Sequence, residues 1–202
     1  MKLLYDILIP TCKPYDKVKE LVARIMETSD TTAGNLFVTC KNVSASINRN
    51  YALQYATAPV VIMLDDDISG FFPGWDEMLV EALYLSPKHV MISARLMNAN
   101  NTPGMMMSIE PNLEGKFQYV NGFLPSACIA FHNDDTRFDE NFIGSGWEDT
   151  DFCVSLQKKY PEGEFLIANE VKLVHNNEMK NGNSVMFEKN KAYFEQKHGG
   201  MI

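Results

Sequence analysis

Short apolar runs and helix-spaced apolar stripes alternate along the chain, and this pattern predicts an α/β layer fold. Apolar runs typical of strands cover residues 3–9, 36–40, 60–64, 90–93, 165–167 and 171–174. Apolar side chains at intervals of three and four predict helices over residues 18–25, 44–56, 75–83, 152–160 and 187–197. Residues 119–131 are apolar but interrupted by Gly122 and Pro125, which predicts a strand with an irregular turn. Residues 98–115, rich in Asn, Pro and Gly, predict a mobile loop.

The composition predicts one globular domain spanning residues 1–202. Apolar residues make up 46% of the chain and charged residues 22%, which excludes wholesale disorder. No internal repeat or linker divides the chain. The net charge of −8 disfavours a protein whose main role is to bind nucleic acid or an anionic membrane surface.

No segment has the length of a membrane span or the pattern of a secretion signal, so a cytoplasmic protein is expected. No purely apolar stretch is longer than that of residues 60–64, which is far shorter than the roughly 20 residues that a spanning helix needs. The four cysteines form no Cys-x-x-Cys pair. Reduced thiols are therefore expected rather than a zinc site.

Three consecutive carboxylates, Asp65, Asp66 and Asp67, follow the apolar run 60–64 directly. That run predicts a strand buried on both faces, and open α/β sheets bind ligands at the carboxyl ends of their strands. Side chains alternate in extended backbone, so Asp65 and Asp67 are expected to share a crevice that Asp66 faces away from. Such a pair suits Mn²⁺ or Mg²⁺. The alternative is a solvated acidic turn or a capped helix start.

A second acidic segment, residues 144–152, begins with glycines and a tryptophan and continues into the start of a predicted helix. A carboxylate here can act as a general base if it reaches an acceptor hydroxyl. Acidic residues are also favoured in a first helical turn by the helix dipole alone, which is the alternative.

Two further residues are candidates only in combination with the carboxylates. His175 ends a predicted strand and can supply a nitrogen ligand to a metal, although a lone histidine is more often structural. Arg49, between Asn48 and Asn50, can bind a diphosphate or a nucleotide base, although an ordinary exposed helix arginine is the simpler alternative.

The order of these features resembles the GT-A glycosyltransferases, particularly glycosyltransferase family 2 and the related galactosyl- and N-acetylgalactosaminyltransferase groups. Four segments carry the resemblance: residues 7–11, similar to the first strand; residues 46–56, similar to the Ala-Arg-Asn-x-Gly-Leu helix; residues 61–67, similar to the strand with its Asp-x-Asp motif; and residues 146–152, similar to the Trp-Glu-Asp-x-Asp segment. Where relatives carry an acidic residue after the second strand, this chain reads Thr39-Cys40-Lys41-Asn42, which leaves the nucleotide open.

The resemblance implies a single GT-A (Rossmann-like) domain with a mostly parallel central sheet flanked by helices. It also implies metal-dependent transfer of a sugar from a nucleotide-diphosphate sugar, with UDP as the first candidate, to an acceptor hydroxyl with inversion. The implied roles are a base, Asp149; metal ligands, Asp65, Asp67 and His175; donor contacts, Pro10, Thr11, Arg49, Asp65 and Asp66; and sugar or acceptor contacts, Trp147 and Glu148.

Two other functions stay open at this point. A nucleotidyltransferase also uses metal-bound carboxylates, but residues 11–14 make a poor version of its Gly-rich basic loop. A non-catalytic relic of a transferase is disfavoured because both acidic motifs are kept. The acceptor is open among a glycan, a protein, a small molecule and, less favoured by the charge, modified DNA. Candidate acceptor or lid contacts are residues 98–115 and Lys180, Asn181 and Asn183.

Overall fold

The computed structural model describes residues 3–30, 34–104, 106, 109–176 and 184–199. Its strands are β1 (Tyr5–Thr11), β2 (Leu36–Cys40), β3 (Val60–Leu64), β4 (Ile68–Ser69), β5 (His89–Met97), β6 (Phe117–Val120), β7 (Cys128–His132) and β8 (Glu164–His175). Its helices are α1 (Lys19–Thr28), α2 (Ala45–Leu53), α3 (Trp75–Tyr84), α4 (Glu148–Lys159) and α5 (Ser184–His198). Lys180, Asn181 and Asn183 lie outside the described residues.

The strands form one sheet in the order β2-β1-β3-β7-β5-β8-β4, with β6 added to β8. β1, β2, β3, β5 and β8 run in one direction, and β4, β6 and β7 run in the other. The expected mostly parallel α/β sheet is therefore confirmed. All residues of β3 are buried, as its apolar run predicts. Because strands of one direction end at one edge, the carboxyl ends of β1, β3 and β8 gather there.

Three segments differ from the predictions. Residues 119–131 form no single strand: β6 pairs with β8, and β7 lies between β3 and β5. Gly122, at φ 143°, and Pro125 lie in the connection between them. Residues 165–167 and 171–174 belong to one strand, β8, whose register against β5 shifts after Ala94. β4 has only two residues, too few to give a periodic signal.

A buried arginine anchors the 98–115 segment, whose described residues form isolated bridges but no helix or longer strand. Arg95 Nη2 donates to the Asn112 carbonyl at 3.2 Å and to the side-chain oxygens of Gln118 and Asn169. Burial lowers the pKa of Arg95, which has no carboxylate partner among the described residues. Neutral oxygen acceptors therefore compensate the charge of Arg95, and its bond to the Asn112 carbonyl anchors the 98–115 segment.

No described helix combines the length and the apolar character that crossing a bilayer requires. Trp75 is fully buried in the core. The cysteines carry free thiols: Cys12 and Cys40 are exposed, and Cys128 and Cys153 are buried.

A buried carboxylate, Asp6, joins β1 to the segments that precede β2 and β3. It accepts hydrogen bonds from the backbone N–H groups of Asn35 at 2.8 Å, Thr57 at 2.6 Å and Ala58 at 2.8 Å. Burial alone raises the pKa of Asp6, but these hydrogen bonds outweigh burial and hold it below its ordinary value. The native fold therefore favours the ionised form.

We expect Asp6→Asn to lower the free energy of unfolding at pH 7 by about 2 kcal/mol, because charge-assisted hydrogen bonds are lost. A carboxylate with a lowered folded-state pKa stabilises the fold above its unfolded pKa of about 3.9 and loses that contribution as the pH falls. The difference between wild type and Asp6→Asn should thus shrink between about pH 5 and pH 2. Urea denaturation across that range measures it, with exposed Asp16→Asn as the control. A pH-independent difference would contradict the assignment.

Candidate active site

The candidate site is a cleft at the sheet edge where β1 and β3 end. Its cavity, about 380 Å³, is lined by residues 10–13, residues 65–67, Arg49 of α2 and the loop residues Gly144 and Ser145. A larger cavity of about 440 Å³ lies between α1 and the β1–β2 edge, but its walls are mainly apolar and it contains none of these carboxylates. We therefore take the smaller cleft as the candidate site, because it contains the carboxylates of residues 65–67 and Arg49.

The structure brings Asp65, Asp67 and His175 together, with one ligand atom of each within 4.8 Å of the others. Asp65 and Asp67 follow β3, and antiparallel pairing of β4 with β8 sets Ile68 opposite His175. His175 Nε2 then lies 3.3 Å from Asp67 Oδ1. Asn176 N also donates to the Asp67 carbonyl at 3.0 Å, which holds the end of β8 against the acidic triplet.

These three residues fit a divalent cation. Two carboxylates and an imidazole are donors that Mn²⁺ accepts, and Asp67 Oδ1 is buried without a properly aligned hydrogen bond. The contact with His175 holds the pKa of Asp67 below its ordinary value. Burial disfavours charge on His175, but Asp67 outweighs it and raises the His175 pKa. A raised pKa means that His175 favours its protonated form beside Asp67. A divalent cation can replace this proton between the two side chains.

Asp66 points to a different set of partners, as the alternation along the triplet predicts. Its carboxylate accepts from the Thr11 hydroxyl and from Lys13 Nζ, the latter at 2.7 Å. Lys13 N in turn donates to Thr11 Oγ1 at 2.9 Å. Lys13 lines the cleft, but it was not among the site residues predicted from the sequence. Its position two residues after Thr11, a predicted donor contact, could have indicated it.

Arg49 is buried, not an exposed helix arginine, and it joins two acidic motifs. Its Nη1 donates to Glu148 Oε1 at 2.8 Å, and its Nη2 to Asp65 Oδ1 at 3.2 Å. Burial opposes the charge, but Asp65 and Glu148 outweigh it and keep the Arg49 pKa above its usual range. Burial raises the pKa of Asp65, against the effect of Arg49. The next residue, Asn50, exchanges two hydrogen bonds with the Phe138 backbone, which fixes α2 against that segment.

The second acidic motif starts α4, and its three key residues face different surroundings. Trp147, at φ 72°, is half-buried with its ring against Phe187 and Phe194. Glu148 is only 3% exposed and turns inward to Arg49, which differs from the expectation that it contacts sugar or acceptor hydroxyls. Asp149 is partly exposed, and burial followed by the charge of Glu148 raises its pKa to about 7.

A family model described as glycosyl transferase family 2 matches residues 16–146, well over half of the chain. The chain belongs to glycosyltransferase family 2. The match includes Arg49 and residues 65–67, whereas β1, Asp149 and His175 lie outside it. No similar sequence is found among curated proteins.

Solved structures with the same GT-A fold include several glycosyltransferases. GalNAc-T7 with UDP, GalNAc and Mn²⁺ matches with a TM-score of 0.69 at 11% identity, over 96% of this chain and 48% of that one. The mannosyltransferase PcManGT from Pyrobaculum calidifontis, with GDP-Man and Mn²⁺, gives 0.67 at 12% identity, over 98% and 64%. Glucosyl-3-phosphoglycerate synthase from Mycobacterium tuberculosis, with Mn²⁺, UDP-glucose and phosphoglyceric acid, gives 0.63 at 11% identity, over 98% and 80%.

These similarities show the fold. This family 2 chain spans about half the length of GalNAc-T7 and 64% of PcManGT. The GT-A fold that the sequence motifs implied is confirmed, and family and fold together indicate a transferase.

We expect Arg49→Met to lower the free energy of unfolding by about 3–5 kcal/mol, because it leaves Glu148 buried beside no cation. The double variant Arg49→Met/Glu148→Gln should lose less than the sum of the two single changes, since it removes both charges. Chemical denaturation of all four proteins measures this coupling. Glu27→Gln, in an exposed pair with Arg24, serves as the control and should change stability by no more than about 0.5 kcal/mol. Additive effects at Arg49 and Glu148 would contradict the buried bridge.

Proposed function

We propose that this chain transfers a sugar from a nucleotide-diphosphate sugar to an acceptor hydroxyl, with inversion at the anomeric carbon. The observation that carries the proposal is that a three-residue metal site and a partly exposed carboxylate, Asp149, adjoin the same buried ion pairs. Arg49 bonds both to Asp65, a residue of the metal site, and to Glu148, which directly precedes Asp149 in the chain. Membership of family 2 favours this reaction over nucleotidyl transfer. The retained acidic residues favour an enzyme over a non-catalytic relic.

On the donor side, Asp65, Asp67 and His175 would hold Mn²⁺ or Mg²⁺. A bound divalent cation supplies positive charge that stabilises the departing nucleoside diphosphate. Lys13, 41% exposed at its side chain, adds a cation at the same cleft, next to Thr11 and Pro10. The buried guanidinium of Arg49 would stabilise Asp65 and line the cleft floor.

UDP is the nucleotide we propose to test first. GalNAc-T7 and the synthase have UDP or UDP-glucose in their structures, whereas PcManGT has GDP-Man. The diphosphate is common to the three and the base is not. After β2 this chain has Lys41 and Asn42 instead of an acidic residue, so contacts to the nucleobase must come from other groups.

On the acceptor side, Asp149 would remove the proton from the attacking hydroxyl. The hydroxyl oxygen forms the new bond to the anomeric carbon from the face opposite the phosphate, and the sugar–phosphate bond breaks. Partial exposure lets Asp149 reach a substrate, and a pKa raised toward neutrality makes it a stronger base than an ordinary aspartate. Glu148 is better placed to hold Arg49 than to contact the acceptor, whereas Trp147 can still offer part of its ring to a sugar.

We expect Asp149→Asn to keep donor affinity within about twofold and to lower the turnover rate by about 10²–10⁴-fold, because the base is lost. Calorimetric titration of UDP-, GDP- and other nucleotide-sugars with Mn²⁺ identifies the donor. Release of nucleoside diphosphate then reports turnover, with water as the acceptor. Asp16→Asn, on the exposed turn before α1, is the matched control. A near-normal rate for Asp149→Asn would remove this residue from the base role.

The metal site gives a separate prediction. Asp67→Ala should abolish the increase in donor affinity that Mn²⁺ produces in the wild type, since one of three ligands is lost. Titrations with and without Mn²⁺ measure the increase, and circular dichroism checks that the variant is folded. Unchanged metal dependence in folded Asp67→Ala protein would contradict the proposed ligand set.

A further inference from the structure

The loop that leads into Trp147 and Asp149 is held by one buried asparagine side chain of α5. Asn190 Oδ1 accepts from Ile143 N at 2.9 Å, and its Nδ2 donates to the carbonyls of Ile143 and Gly146, both at 2.9 Å. Asn190 is only 2% exposed. A single amide therefore satisfies three backbone groups of a loop that lies outside any regular element.

The backbone conformation of this loop explains why it needs an external partner. Gly144, Gly146 and Trp147 have φ values of 66°, 106° and 72°, all in the left-handed region. Residues with such φ values do not continue a regular helix or strand, so the backbone groups before α4 need partners outside those elements. Beside the cleft, Ala45 N at the start of α2 donates to the Gly144 carbonyl at 2.7 Å. The loop is therefore fixed on one side by α2 and on the other by α5.

α5 also covers the loop directly. The Phe187 ring lies 2.8 Å from the position that a Cβ on Gly146 would take, so a larger residue here would require that ring to shift. The same ring packs on Trp147 at 5.7 Å between centroids. We call this combination the clamp: the three hydrogen bonds of Asn190 together with the packing of Phe187 on Gly146 and Trp147 and of Phe194 on Trp147.

The far end of α5 is tied to the helix that carries the proposed base. His198 Nε2 lies 2.7 Å from Asp151 Oδ1, and Lys197 Nζ lies 2.8 Å from the same oxygen. Both Asp151 and His198 are buried. Tyr193 and Lys197 also reach Asp139, at 2.8 and 2.7 Å. α5 is consequently anchored to α4 and to the start of the loop at once.

We propose that Asn190 is a positioning residue for the transfer reaction: it fixes the Ile143–Gly146 backbone and thereby sets where Ser145 lines the donor cleft and where Asp149 meets the acceptor. α5 lies beyond residues 16–146, the part of the chain that the family model matches. The catalytic consequence rests on the proposed function, whereas the clamp itself is measurable without turnover.

Asn190→Asp is the informative variant because it keeps the size of the side chain and replaces its donor group with an acceptor. The carboxylate would face the carbonyls of Ile143 and Gly146, so two hydrogen bonds become repulsive contacts. We expect turnover to fall by about 10–10²-fold, since small misplacements of reacting groups have effects of that size. Mn²⁺ affinity should stay within about twofold, because the proposed ligands lie just after β3 and at the end of β8 and not on this loop. Asn190→Ser removes the amide group, leaves only a shorter hydroxyl and adds no charge, so it should give an intermediate loss.

Tryptophan fluorescence provides a readout that does not depend on activity. The chain has two tryptophans. Trp75 is fully buried and gives a constant background, whereas Trp147 is half-buried at the end of the clamped loop. We expect acrylamide to quench Trp147 more strongly in Asn190→Asp and Asn190→Ser than in the wild type. Lys189→Ala, exposed on the same helix, is the matched control and should behave as the wild type.

The outcomes separate the clamp from the proposed function. Unchanged quenching and unchanged turnover in folded Asn190→Asp and Asn190→Ser protein would overturn the inference. Increased quenching with full turnover would overturn the positioning role, although the loop had moved. A wild-type chain that binds and turns over no nucleotide-sugar would overturn the proposed function and the catalytic part of the inference. Quenching then still decides whether the asparagine holds the loop.

Discussion

The burial of Arg49 is the constraint on which the arrangement of the site depends. A guanidinium that is only 7% exposed needs partners that compensate it, because removing a charge from water costs several kcal/mol, and at Arg49 these partners are carboxylates. Asp65 and Glu148 provide the compensation from the end of β3 and the start of α4. Once α2 packs with Arg49 inside, these two chain segments have to meet at one point. The meeting point lies between the proposed metal site and the proposed base.

The acidic triplet obeys the same electrostatic rule, because each of its carboxylates has a separate cationic or titratable partner. Asp65 pairs with Arg49 from α2, Asp66 with Lys13 from the segment after β1, and Asp67 with His175 from β8. Three like charges in sequence would otherwise raise one another's pKa. The separation also divides their roles, since Asp65 and Asp67 remain on the same side as His175 and Asp66 is held by Lys13. A divalent cation fits where the compensation is weakest, between an imidazole and two carboxylates.

The sequence predicts the parts of this site that are contiguous in the chain. The apolar run before the triplet predicts a buried strand, and side-chain alternation predicts the separation of Asp66 from its neighbours; both features are local. The inward turn of Glu148 was not predicted, because its partner Arg49 lies 99 residues earlier and periodicity carries no information about such pairs. β4 was missed because two residues give no pattern. The role of Asn190 depends on an irregular loop meeting a distant helix, which only the packed structure specifies.

The two halves of the cleft are held in place by different kinds of structure. Pro10, Asp65 and His175 stand at or next to the ends of β1, β3 and β8, and each of these strands pairs with a neighbouring strand on both sides within the sheet. The loop before Asp149 has no such ladder and relies on the side chain of Asn190, the Phe187 ring and one backbone bond from α2. Segments held by few contacts open more readily than strands at the centre of a sheet. Substitutions along α5 can therefore move the wall of Gly144 and Ser145 and the proposed acceptor side of the cleft, while the proposed metal ligands keep their geometry. One fold can serve many different substrates, and the loop before Asp149 is the part of this site that can change at the least cost to the core.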